Sequence, residues 1–301
     1  MIRKINEDYL DDNQEILKRI DESIIRSMRT DDMYIVEGIS VDQFTKTVRL
    51  TDSSDGVDFS NQKYLKYRYR VNDQVLNVIS IFKRTPYNDS YDEKDIDGNP
   101  FIYALKGAEG WRFDITDEEI VRYVRRFLEV CDSIDKRYDT IIVVPSHHDI
   151  NRRFMKVIAS RVKANDIIED MFLKSTKGEA LASLDVDGIE DFCDEKYPRT
   201  SDYMKKHITD EIRRAFNRMT GKYFEAKKMP KEYLKFIKEP VTVNKGFSMD
   251  EAKELINNKS VLVLDDTLST GASVSACVRV INQFEPKRLD VITLLSKKFK
   301  K

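Results

Sequence analysis

The chain has 301 residues, 35% of them charged, and its 52 Lys and Arg against 53 Asp and Glu leave a net charge of -1. That balance announces neither a nucleic-acid partner nor a membrane surface, no apolar run approaches the ~20 residues needed to cross a bilayer, and the N-terminal MIRKINEDYLDD is too acidic for a secretory signal. Three widely spaced cysteines (Cys131, Cys193, Cys277) without a CxxC, and only three histidines, argue against a disulfide framework or a zinc site and for reduced thiols in a cytoplasm.

The length suggests about two domains. From Ile5 to Met28, apolar residues recur near helical spacing (Ile5, Leu10, Ile16, Leu17, Ile20, Ile24, Ile25, Met28), which predicts an amphipathic helix. Four short β runs follow: MYIVEGIS at 33–40, KTVRL at 46–50, KYLKYRYRV at 63–71 and VLNVISIF at 75–82. The third alternates polar with aromatic residues, the pattern of a half-exposed strand. RTPYNDSYDEKDIDGNP (84–100) reads as a loop or linker. Residues 1–97 are therefore expected to form an α+β extension, and 98–301 a second unit.

Beyond that linker, strands alternate with helices. FIYALKG (101–107) reads as a short strand ending in glycine, and Thr116 opens a capping-box pattern, TDEE, ahead of the helix IVRYVRRFLEVCDSI. YDTIIVVP (138–145) is an apolar strand stopped by proline, and NRRFMKVIASRV (151–162) is a helix. VLVLDD followed by ASVSACVRVINQF repeats the strand-then-helix theme, and RLDVITLLS (288–296) is a final strand. The alternation predicts an α/β domain with a parallel sheet, in which ligands sit at the carboxyl ends of strands.

At one such end stands VLVLDDTLSTGAS (261–273). Thr267, Leu268, Ser269, Thr270, Gly271, Ala272 and Ser273 can wrap backbone N–H groups and hydroxyls around a phosphate where a helix begins. Gly271 permits a positive φ or a close approach of the backbone. The turn has no lysine and the chain has no GxxxxGK[ST], which excludes a nucleoside-triphosphate P-loop. Asp265 and Asp266 only accept hydrogen bonds when ionised, so they suit a pair of sugar hydroxyls or a bound Mg2+. A ribose 5-phosphate site has this composition; the plain alternative is a strand end with helix-capping hydroxyls.

The thirteen residues VLVLDDTLSTGAS resemble the phosphoribosyl-diphosphate (PRPP) signature of type I phosphoribosyltransferases. The order ALKG (104–107), helix, IIVVPSHHDINRRF (141–154), variable middle and signature is similar to the ComF-type branch over residues 98–301. The resemblance implies a parallel-sheet phosphoribosyltransferase-like core with an N-terminal α+β extension, a cytoplasmic place in nucleotide metabolism and a homodimer. It also implies that Asp265 and Asp266 hold the ribose hydroxyls directly or through Mg2+, and that residues 267–273 bind the 5-phosphate. Diphosphate then leaves the anomeric carbon as a nucleophile, typically a base nitrogen, attacks. The protein's part is positioning and stabilisation of separating charge.

Two segments compete for the diphosphate. PSHHDINRR (145–153) is the first candidate, because its strand is longer and a helix follows immediately, and it offers Ser146, His147 and His148 with the cations Arg152 and Arg153. ALKG is the second and offers Lys106, which reads first as a solvated surface lysine. Several purine-acting relatives in that family carry an acid where Ser269 stands. A serine is a poor general base, which counts against purine salvage and keeps a non-catalytic PRPP- or nucleotide-sensing module open beside the transferase. Between 174 and 246 the chain is hydrophilic with helical patches, and its second part is rich in cations: KKH (205–207), RRAFNR (213–218), KYFEAKK (222–228) and KEYLKFIKEP (231–240). Arg213, Arg214 and Lys222 are candidates for a segment closing over diphosphate, or simply a solvated helical face. Phe216, Tyr223, Phe224, Tyr233 and Phe236 among them suit either helix core or a single-stranded nucleic-acid surface. LDVDG (184–188) reads as a turn rather than a phosphatase DxD, and Trp111 as core filling or a stacking platform for a base.

Overall fold

The computed structural model describes residues 2–4, 38–52, 56–71, 74–85, 99–146, 150–268 and 270–297. The helix expected over Ile5–Met28, positions 33–37, most of the 84–100 loop, and the candidates His147, His148 and Ser269 lie outside the described residues. The N-terminal strands are β1 (Ile2–Lys4), β2 (Gly38–Asp42), β3 (Thr47–Thr51), β4 (Val57–Asp58), β5 (Leu65–Val71) and β6 (Gln74–Arg84). Helix α1 (Asn99–Lys106), strand β7 (Arg112–Phe113) and helix α2 (Asp117–Asp132) follow. Then come β8 (Thr140–Val143), α3 (Ile150–Val162), β9 (Asp166–Ile168), β10 (Phe172–Lys174), α4 (Lys177–Ala182), α5 (Val186–Lys196) and α6 (Ser201–Arg218). The chain ends with β11 (Val241–Val243), α7 (Met249–Ile256), β12 (Ser260–Leu268), α8 (Ala272–Asn282) and β13 (Arg288–Lys297).

The apolar runs assemble into an 8-stranded sheet of order β1-β9-β8-β12-β13-β6-β4, with β5 also paired to β6. From β9 through β8, β12 and β13 to β6 the pairing is parallel, and the flanking β1, β4 and β5 are antiparallel. Parallel strands are apolar on both sides because helices cover both faces. Ile141, Val143, Leu262 and Leu264 pack with Phe154, Met155 and Ile158 of α3. Ile142, Val144, Val261 and Val263 pack with Val274, Cys277, Val278 and Ile281 of α8. The run VLNVISIF belongs to this sheet: β6 pairs with β13 from Val78↔Val291 to Arg84↔Lys297, so the sheet draws strands from both sides of residue 97.

β8 leads through α3 to β9 on one side, and β12 leads through α8 to β13 on the other. The strand order therefore reverses between β8 and β12, where a doubly wound sheet opens a crevice at its carboxyl end. β2, β3 and β7 form a separate 3-stranded sheet.

Two local expectations meet different outcomes. The capping box is present: the Glu119 N–H donates to Thr116 Oγ1 at 3.3 Å, and the Thr116 N–H to Glu119 Oε2 at 2.7 Å. FIYALKG, by contrast, is helical and not a strand. Phe101, Ile102 and Ala104 bury one face of α1, and Gly107, at φ 59° and ψ 28°, ends the helix in the left-handed conformation that glycine adopts without penalty.

The 174–246 insertion has a core of its own. β10 and β11 form an antiparallel ribbon, and α4, α5 and α6 with the 3-10 turns Ala226–Lys228 and Lys231–Phe236 enclose Ile189, Ile208, Ile212, Leu234 and Ile237. Phe216, Phe224, Tyr233 and Phe236 belong to that core, and Tyr223 alone of the five rings is exposed, at 39%. Core packing thus accounts for four of the five. LDVDG begins a helix rather than forming a free turn. Asp185 caps α5 by accepting the Gly188 N–H at 3.1 Å, and it pairs with Lys238 at 2.8 Å. Trp111 is partly buried against the main core. All three cysteines are buried and free. Among the described residues no helix is long and apolar enough to cross a membrane.

Candidate functional site

β12 delivers its two acids at the crevice. Leu264 lies opposite Val143 of β8, so Asp265 and Asp266 emerge beside the end of that strand. Asn151, buried in the first turn of α3, ties the two strand ends together. Its Nδ2 donates to the Val144 carbonyl at 3.0 Å and to Asp265 Oδ1 at 3.3 Å. The same Oδ1 accepts the Asp266 N–H at 2.9 Å. Lys106, the last residue of α1, places its Nζ 2.6 Å from Asp266 Oδ2, with side chains only 16% and 8% exposed. The reading of Lys106 as a solvated surface lysine is therefore corrected: its ammonium sits on one of the two acids.

Burial of a carboxylate is unfavourable unless it is paired, and the electrostatics follow. Desolvation raises the Asp265 carboxyl above its ordinary value and the neighbouring Asp266 charge raises it further, against the opposing pull of Lys106 and Asn151. Lys174, at the end of β10, lies within electrostatic reach of Asp265, Asp266, Lys106 and Glu225. Its burial pulls the amine below its ordinary value while the acids push it back. Lys106 thus sits on the acid pair, with Lys174 and Glu225 within electrostatic reach of the same half-buried place.

The turn after the acids is partly as expected. Gly271 takes φ 71° and starts α8, and a glycine has no side chain with which to cap the first-turn N–H groups. Thr270, Ala272 and Ser273 are half-buried around it. Among the described residues, Thr267 Oγ1 and Asn151 Oδ1 are buried with no hydrogen-bond partner, a condition that asks for an explanation. Leu268 is fully buried in the core, so only its backbone could face a ligand. Gly271 has a second reason to be glycine. A Cβ there would lie 2.7 Å from Val71 Cγ2 and 2.9 Å from Tyr69 Cε1.

The other expected cations are scattered. Ser146 is half-buried at the end of β8. Arg152 is 66% exposed and its Nε pairs with Glu169 at 3.2 Å, and Arg153 is exposed. Arg213 and Lys222 are exposed, and Arg214 pairs with Glu211 at 2.6 Å. None of these is shown on the acids. Asn151 and Lys174 are the site residues the sequence did not single out. Asn151 lay inside a segment notable for its arginines, and Lys174 is a single lysine ahead of the cation-rich runs. Among the described residues no three His, Cys, Asp or Glu side chains cluster as a metal site, so any cation would use the two acids together with the oxygens of its own ligand.

These features define a mixed α/β protein with a mostly parallel sheet and a carboxylate pair at its topological switch point. No protein-family model matches the chain, and neither a curated protein nor a solved structure does.

Proposed function

We propose that the protein binds PRPP at the carboxyl end of β12 and transfers its ribose 5-phosphate to a nitrogenous, base-like acceptor with release of diphosphate. One observation carries this reading. Asp265 and Asp266 stand in the crevice between β8 and β12, directly before a helix that opens on Gly271, a residue with no side chain to cap its first turn. The acids accept from the ribose hydroxyls, and the start of α8 takes the 5-phosphate through its N–H groups and dipole. Lys106 and Lys174 supply positive charge where diphosphate departs. Asn151 holds Asp265 in place from across the crevice.

The donor set fits Mg2+, because two carboxylates and the unpartnered hydroxyl of Thr267 are hard oxygen donors of the kind that ion takes beside phosphate oxygens. Asp265 and Asp266 would hold it, and when bound it would neutralise charge on the departing diphosphate. A non-catalytic PRPP- or nucleotide-sensing module is the second reading, favoured by Lys106 already neutralising Asp266. The deciding experiment measures diphosphate release from PRPP and Mg2+ with a panel of bases, alongside PRPP binding by calorimetry. Release with any base supports the transferase, and binding without release supports the sensor. Absence of binding rejects both.

A further inference from the structure

We infer that Lys106 is a resident counter-ion: in the ligand-free protein it occupies the place on Asp266 that a divalent cation would take, and it leaves that place for an arriving polyphosphate. This rests on the reading of Asp265 and Asp266 as the sugar-phosphate site and adds an order of binding to it. The 2.6 Å ion pair is nearly enclosed, so an incoming ion must displace the ammonium and not merely join it. With Lys106 on Asp266 and Lys174 also within electrostatic reach, a bare cation meets positive charge at the place it would take.

A diphosphate changes that balance. It offers both lysines a stronger anionic partner, and withdrawal of Lys106 then returns Asp266 to the ion. The uptake of cation and anion is thereby coupled, and coupling of this kind is reciprocal. Lys106 is built to move. It ends α1, the following Gly107 has nothing within 4 Å of where a Cβ would stand among the described residues, and a lysine carries its charge on a flexible four-carbon stem. The acid, by contrast, is fixed by the sheet. Lys174 ends β10 of the β10–β11 ribbon within electrostatic reach of the acids, so the helical insertion would also feel whether the anion is there.

The test is calorimetric titration of wild type and Lys106→Met with MgCl2 alone, inorganic diphosphate alone and the two together. Lys106→Met is expected to bind Mg2+ alone about tenfold or more tightly than wild type and to bind diphosphate about tenfold or more weakly. Equal Mg2+ affinity in the two proteins would overturn the inference. Because the variant leaves Asp266 without its partner, a second measurement uses the intact chain: NMR of lysines labelled at Cε, with Lys106 assigned from the spectrum of Lys106→Arg. Its resonance should stay in place with Mg2+ alone and shift with diphosphate, and no shift with diphosphate would also reject the counter-ion. PRPP binding that succeeds while both patterns fail would refute this inference alone. Failure of PRPP binding would instead remove the reading beneath it.

Discussion

Gly271→Ala probes the turn that joins the acids to α8, and the structure sets its size. The backbone φ of 71° lies in the left-handed region, where an L side chain costs about 1–2 kcal/mol. The added Cβ would also lie 2.7 Å from Val71 Cγ2 and 2.9 Å from Tyr69 Cε1, closer than carbon atoms pack. Relief requires β5 or the turn to shift, and overpacking of this kind costs about 1–3 kcal/mol. Together the two effects predict a loss of about 2–5 kcal/mol, a large part of the 5–15 kcal/mol that typically separates folded from unfolded chains. Urea denaturation should show a lower midpoint at unchanged slope. A double-mutant cycle with Val71→Ala separates the causes: the smaller side chain should recover the steric part and leave the backbone strain. A Gly271→Ala protein within ~0.5 kcal/mol of wild type, the usual range of neutral surface changes, would show that the close packing on β5 is wrong. The same packing means that lost ligand binding in a Gly271 variant cannot by itself establish a phosphate cradle.

The acids are the cleaner probe. Asp265→Asn with Asp266→Asn should weaken PRPP binding by about two to four orders of magnitude, from two charge-assisted hydrogen bonds worth roughly 1.5–3 kcal/mol each, and unchanged affinity by calorimetry would reject the site. Asp185 should be visible in the acid limb of stability. Lys238, then the Gly188 N–H, hold its carboxyl below the ordinary value. That contribution is present above the ordinary carboxylate range and is lost as pH falls through it and below. Asp185→Asn should thus flatten the loss of denaturation midpoint between neutral pH and about pH 3, and an unaltered acid limb would exclude the cap as its cause. At the opposite end of the sheet, buried Asp290 accepts from Lys136 Nζ at 2.6 Å and Tyr138 Oη at 2.7 Å. Asp290→Ala should cost about 3–5 kcal/mol by leaving a half-buried ammonium and a buried tyrosine hydroxyl without their partner, and a change below ~1 kcal/mol in urea denaturation would contradict that burial.

The parts of the fold readable in the sequence are those whose signal is local. TIIV and SVLVLDD are apolar on both sides because each strand is covered twice, and Thr116 with Glu119 carries its own cap geometry. FIYALKG was ambiguous in a more instructive way. Seven residues are too few for a period of 2 to be told from one of 3.6. The decisive cues lie at its ends: Pro100 in the first turn of α1 and Gly107 just past its last residue, the asymmetry that marks a helix. VLNVISIF reads correctly as a strand, but nothing within it says which sheet it will join.

The site divides along the same line. Asp265 and Asp266 are legible because they are adjacent and follow a buried strand. Their partners are not, because Lys106 ends a helix far upstream, Asn151 opens another beyond β8, and Lys174 ends a strand of a separate ribbon. Local sequence can place two acids at a strand end, yet their charge there depends on cations delivered by other elements. A buried acid pair without such cations would be held neutral by desolvation and mutual repulsion, with no grip on hydroxyls or on a cation beyond what a neutral acid has. With Lys106 and Lys174 beside it, the pair can carry charge in a half-buried crevice, and what binds there must compete with those same lysines. On the proposed function, selectivity for an anionic, cation-bearing ligand over a bare ion or a neutral sugar would come from the tertiary arrangement and not from the acid pair alone.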